Sequence, residues 1–223
     1  MGTYAVPSTR PDPKPLCLVG MSGIGKSHAA RLLSAEGFRW YDCDRRIAER
    51  LHELVAPLPG EEPVHALGRW MGMPWSEGYA EREARYLALE TAVTTEVIAT
   101  VAASEAAPTV VDTTGSVIYL DEKVLADLRR TTHVVYLAAQ PSDRAALLAL
   151  YLQEPKPVVW AGAYYERPGE DHGEALARSY SELLADRDRR YRALAARVLP
   201  ASKLRVSEEA QRQVLRGLVS FTE

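Results

Sequence analysis

The sequence predicts one α/β domain: a mainly parallel sheet with helices on both faces. Three observations carry that expectation. Short apolar runs alternate with longer amphipathic stretches, so strands are joined by connections of a dozen or more residues, as parallel pairing requires. The 223 residues, 47% of them hydrophobic, suffice for one domain with a full core, and no internal repeat or second domain boundary is visible. A glycine-rich turn, "LVGMSGIGKS" at 18–27, joins the first apolar run to the first helical one.

Residues 1–15, "MGTYAVPSTRPDPKP", hold four prolines and almost no apolar periodicity, the composition of a disordered or loosely docked tail, which leaves 16–223 as the domain. "PLCLV" (15–19) is strand-like, and "SHAARLLSAEG" (27–37) follows as a helix ended by Gly37. "FRWYD" (38–42) is a second strand, and "DRRIAERLHELV" (44–55) is amphipathic, with Ile47, Leu51 and Leu54 on one face. "EREARYLALETAVTTEVIATVAAS" (81–104) is a long, Ala-rich helix. "PTVVD" (108–112) and "THVVYLAA" (132–139) give strands three and four. "SDRAALLALYLQ" (142–153) is helical with Ser142 as N-cap, and "GEALARSYSELLADRDRRYRALAARVL" (173–199) is helical throughout. "SKLRV" (202–206) is a short last strand, and "SEEAQRQVLRGLVSF" (207–221) closes the chain. Two segments, 55–78 and 154–173, are rich in Pro, Gly and aromatic residues and long for connections, which marks them as a cap (55–80) and a lid. Trp70, Trp75 and Trp160, with Tyr164 and Tyr165, argue against plain disorder there, and local core is the commoner use of such tryptophans.

The turn fits G-x-x-x-x-G-K-[ST], with a strand entering and a helix leaving: a nucleotide phosphate-binding loop. Its glycines let backbone N–H groups approach phosphate oxygens, and the following helix adds unpaired donors and the positive end of its dipole. Gly20, Ser22, Gly23, Ile24, Gly25, Lys26, Ser27 and His28 are therefore expected to bind ATP. Lys26 brings a full charge to the β- and γ-phosphates, and the Ser27 hydroxyl is a candidate Mg²⁺ ligand.

Ligands of such sheets lie beyond the carboxyl ends of the strands. Strand two ends in Tyr41-Asp42-Cys43-Asp44, where Asp42 can orient Mg²⁺-bound water and Asp44 can accept a hydroxyl proton. Asp44 also suits the N-cap of the next helix, and the two roles are compatible. Strand three ends in Asp112, placed like the carboxylate that holds Mg²⁺ directly or through water. "TTGS" then offers hydroxyls and N–H groups to a substrate at Thr114 and Gly115. Cys43 reads as a small packing residue, and His65 and His172 stand in loops that border the expected cleft.

A net charge of −3 gives no electrostatic reason to expect a nucleic-acid or membrane partner. Two cysteines, Cys17 and Cys43, and five scattered histidines form neither a disulfide framework nor a zinc pattern. No signal peptide or membrane span is legible, so a cytoplasmic monomer is expected.

With "GMSGIGKS…WYDCDRRI", the third-strand loop and a late arginine in hand, the chain resembles the shikimate kinases over most of residues 16–200. That family continues with F-R-x-x-E, a triple-glycine loop, an R-P lid motif and a late R-x-x-x-Y, present here as Arg187 and Tyr191. The resemblance implies a three-layer P-loop fold with a five-stranded parallel sheet, and ATP with Mg²⁺. It also implies Asp44 and Arg187 at the acceptor and Asp42 organising the metal. Periodicity alone puts Arg187, within "RDRR", on a solvated face. The sequence departs from the family where Ala80 replaces a carboxylate-binding arginine, where "TTGS" replaces the triple glycine, and where Lys156-Pro157 replaces R-P. Lys156 would then neutralise charge in transfer from a closing lid. One lost carboxylate contact weakens shikimate by about 1.5–3 kcal/mol unless Arg82 or Arg85 compensates. The expectation is a kinase acting on shikimate or another hydroxyl-bearing metabolite. The alternatives are a nucleotide-binding protein without transferase activity, and a nucleoside or nucleotide kinase with a base stacked on Trp70 or Trp75.

Overall fold

A computed structural model of the chain describes residues 14–52, 55–104, 108–153 and 156–219. The expected tail, apart from Lys14 and Pro15, lies outside the described residues, as does Leu54. Five strands, β1 (Leu16–Val19), β2 (Arg39–Asp42), β3 (Thr109–Asp112), β4 (His133–Ala138) and β5 (Arg197–Pro200), pair in parallel in the order β2-β3-β1-β4-β5. β1 and β3 are buried at every position, whereas the edge strands β2 and β5 are mixed, as strands covered on both faces and on one should be.

The helices are α1 (Lys26–Ala35), α2 (Cys43–Arg50), α3 (Pro63–Met71), α4 (Tyr79–Ala102), α5 (Glu122–Thr131), α6 (Arg144–Gln153), α7 (His172–Leu194) and α8 (Glu208–Val219). α1 packs with α8 and against β2 and β3, while α4 packs with α5, and α5 and α7 lie against β4. Right-handed crossovers put these two groups on opposite faces, which makes three layers. Among the described residues no helix is long and apolar enough to cross a membrane.

Several local expectations are corrected. Strand five is Arg197–Pro200, and residues 202–204 belong instead to a 3₁₀ turn, Ala201–Leu204. The long helix stops at Leu194, because pairing Arg197 through Pro200 with Val135 through Ala138 overrides the helical propensity of the Ala-rich stretch. Ser142 does not cap α6: it sits in a 3₁₀ turn, Pro141–Asp143, where Asp143 accepts from Gln140 N at 2.7 Å and pairs with Arg205 at 2.5 Å. The helix expected over 44–55 ends at Arg50. The segment 55–78 contains α3, started by a proline in its first turn, and α5 fills a stretch that carried no assignment.

Candidate functional site

The glycine-rich loop leaves β1 at the centre of the sheet and ends in α1, whose N-cap, Gly25, takes φ 108°, a left-handed conformation suited to glycine. Lys26 is buried and folds back over the loop, with Nζ donating to the carbonyls of Gly20 at 2.9 Å and Met21 at 3.1 Å. Burial pulls its ammonium below the ordinary lysine range, while Asp112 and Asp44 act in the opposite direction.

Register places two carboxylates side by side, since Asp42 at the end of β2 pairs with Asp112 at the end of β3. Burial pushes Asp112 up to about 7 against the pull of Lys26 and a hydrogen bond with Ser27, and its Oδ1 has no partner. Asp42, not Asp44, caps α2, accepting from Arg45 N at 2.9 Å. Asp44 stands in the first turn of that helix and accepts from the Tyr86 hydroxyl at 3.1 Å. Burial raises the Asp44 carboxyl, and Lys26 opposes it.

The "TTGS" hydroxyls are turned inward. Thr114 and Ser116 both donate to Glu90, a fully buried carboxylate of α4 that burial pushes up to about 7. A Cβ on Gly115 would stand 3.2 Å from Ser22 N and 3.5 Å from Arg187 Nη1, so this glycine lets three segments meet. Arg187 is 3% exposed and so leaves the solvated face on which periodicity places it. Its Nη2 donates to Val159 O at 2.5 Å, its guanidinium lies 5.5 Å from the Tyr119 ring centre, and Nε has no hydrogen-bond partner. Its neighbours do form surface pairs, Asp186 with Arg189 at 2.8 Å and with Arg190 at 2.7 Å.

The start of α4 holds residues 158–161. Tyr79 donates to Val158 O at 2.7 Å, and Glu83 accepts from Trp160 N at 2.5 Å and Ala161 N at 3.1 Å. Trp160 is core, packed with Tyr151, Tyr164 and Tyr180. Trp75 stacks on His172 with centroids 4.8 Å apart, which ties the 55–78 segment to the start of α7. Ala80 and Arg85 are exposed, and Arg82 is bound to the carbonyls of Met71 at 3.0 Å and Glu77 at 2.9 Å. Cys43 is buried packing, as expected.

A cleft of about 700 Å³ opens beside the loop. Ser22, Gly23, Gly25, Lys26, Ser27 and His28 line it, together with Asp42 and Asp44 from β2 and α2 and Lys156. Gly20, Ile24, Asp112, Thr114, Gly115 and Arg187 are not among its lining residues, nor are His65 and His172. Trp40, Arg45, Glu62, Pro63 and Val64 line it without having been singled out from the sequence. Trp40 was within reach of sequence reasoning, because a residue two before Asp42 in a strand shares its face; the others depend on where α2 and α3 pack.

The residues present fit a Mg²⁺ ion. A buried carboxylate oxygen without a partner stands on Asp112, the Ser27 hydroxyl adjoins it, and all these donors are oxygen, the preference of a hard cation. Among the described residues no group of three His, Cys, Asp or Glu side chains forms a complete metal cage, and P-loop sites complete the shell with phosphate and water.

Fold and loop together define the class, a P-loop α/β domain of the shikimate kinase type. The chain is similar to shikimate kinase from Acinetobacter baumannii, solved in complex with shikimate, with 20% identity and a TM-score of 0.57 over 94% of this chain and 93% of that one. It is similar to shikimate kinase from Bacteroides thetaiotaomicron, with 22% identity and a TM-score of 0.56 over 93% and 98% of the two chains. The corresponding Aquifex aeolicus structure gives 16% and 0.54 over 93% and 97%. At these identities the likeness is one of fold. No protein-family model and no curated protein matches the sequence.

Proposed function

We propose that the protein is an ATP-dependent phosphotransferase that moves the γ-phosphoryl group to a hydroxyl of a small molecule, shikimate or another hydroxyl-bearing compound. One observation carries this reading: Lys26, Asp44 and Lys156 face a single cleft beside the phosphate-binding loop. Loop amides and the start of α1 would receive the phosphates, and Lys26 would exchange two carbonyls for phosphate oxygens. Ser27, Asp112 and Asp42 would hold Mg²⁺, which when bound neutralises charge on the phosphates. Asp44 would take the acceptor hydroxyl proton, and its raised pKa makes it a better base than an ordinary aspartate. Lys156 would neutralise charge from the lid, whose closure excludes water as a competing acceptor. Arg187 supports the site from behind, joining the Gly115 turn to the lid carbonyl of Val159. Two buried free thiols are in keeping with a reducing compartment, and we place the protein in the cytoplasm as a monomer.

The test is ADP release from MgATP with and without candidate acceptors. Slow background hydrolysis and acceptor-dependent release are expected, and Asp44→Asn should lower the acceptor-dependent rate by about 10²–10⁴-fold. ATP binding with no stimulation by any acceptor, and no effect of Asp44→Asn, would leave a nucleotide-binding protein without transferase activity. The nucleoside alternative has little support from Trp75, one face of which His172 already covers.

A further inference from the structure

We propose that the acceptor is an uncharged or cationic hydroxyl compound that lays an apolar face on Trp40 and presents its hydroxyl to Asp44. This rests on the phosphotransferase reading and narrows its substrate class.

Of the arginines that could grip a carboxylate, only Arg45 lines the cleft. Arg187 does not line the cleft, and its Nη2 is bound to Val159 O at 2.5 Å. Arg82 is bound to two main-chain carbonyls of the cap, Met71 and Glu77. Ala80 carries no charge and is exposed, and Arg85 is exposed outside the lining. Lys26 and Lys156 stand where the transferred phosphoryl group needs them. Once the phosphate- and metal-binding groups are set aside, the charges left in the lining are Asp44 and Glu62 against Arg45, and Arg45 is paired with Glu49 at 3.1 Å. A carboxylate-bearing acceptor would meet a net negative wall there; a neutral or positively charged one would not.

The other lining residues say what shape suits the space. Trp40 shares the face of β2 with Asp42, so an indole lies beside the carboxylates, and Pro63 and Val64 add apolar surface at the start of α3. A flat apolar surface set among carboxylates suits a ring that has an apolar face and a rim of hydroxyls or an amine.

The experiment compares initial rates of acceptor-dependent ADP release for pairs matched except in charge: shikimate against its methyl ester and amide, and gluconate against glucose and glucosamine. The uncharged or cationic member of each responsive pair should have kcat/KM at least about tenfold higher. Trp40→Ala should raise its KM by roughly tenfold with a smaller change in kcat. Glu62→Lys, an exposed change that leaves the core untouched, should shift the preference toward the carboxylate member. If carboxylate members are preferred, or KM is indifferent to Trp40→Ala, this inference falls and the phosphotransferase reading stands. If ATP binds but no compound raises ADP release, both fall.

Discussion

Tyr86 donates its phenolic hydrogen to Asp44 Oδ1 at 3.1 Å, so the carboxylate proposed as proton acceptor is steadied by a residue that does not line the cleft. Burial raises the Asp44 carboxyl, and this hydrogen bond is one of the interactions that lower it. Tyr86→Phe removes the opposing contribution, so Asp44 would lose its proton at a higher pH. The acid limb of the kcat/KM profile should therefore move to higher pH in the variant. An unmoved limb would remove Asp44 from the role of base.

Lys26→Met should weaken nucleotide binding by roughly ten- to a hundredfold, the loss of a charge-assisted contact, as read by calorimetric titration with a non-hydrolysable ATP analogue. The native ammonium is already desolvated among carbonyls, so little of its binding strength goes into shedding water. Equal affinity in the variant would mean that the loop amides alone hold the phosphates.

Glu83→Ala leaves the Ala161 amide without its acceptor and the Trp160 amide with only the Tyr79 hydroxyl, at 3.2 Å. The expected cost is about 1–3 kcal/mol in urea unfolding, from unpaired polar groups at the lid base. The same loosening should raise ATP hydrolysis relative to acceptor transfer, because Lys156 stands in the same lid segment and lines the cleft. Unchanged stability and partition would show that Trp160 packing alone anchors the lid.

Glu90→Gln should reveal a pH-dependent difference in stability. The folded carboxyl titrates at about 7 instead of 4.5, so between those values the native state keeps a proton that the unfolded chain has released. The wild type therefore loses stability relative to the variant as pH rises through that window, and the difference levels off above it. Chemical unfolding of both proteins at pH 5 and pH 8 should show the variant gaining on the parent at the higher pH. A pH-independent difference would mean that the Thr114 and Ser116 hydroxyls hold Glu90 ionised throughout.

By itself the sequence determined the parallel α/β sheet, the glycine-rich loop after β1, and the carboxylates Asp42 and Asp112 at strand ends with Asp44 just beyond β2. Each of these is local: a strand period, a glycine spacing, a carboxylate closing an apolar run. β5 was not legible, because Arg197–Pro200 lies in an Ala-rich, helix-like stretch and is extended only by pairing with β4. Only the tertiary structure decided which charges are free. Arg187 reads as surface in its own helix and becomes buried once Gly115, Val159 and Tyr119 converge on it from distant segments. Trp40 and Glu62 come to line one cleft because α3 packs on α2 and α4, which brings its start to the end of β2. Which groups a buried charge meets depends on contacts between residues far apart in the chain, and local periodicity carries no record of those contacts.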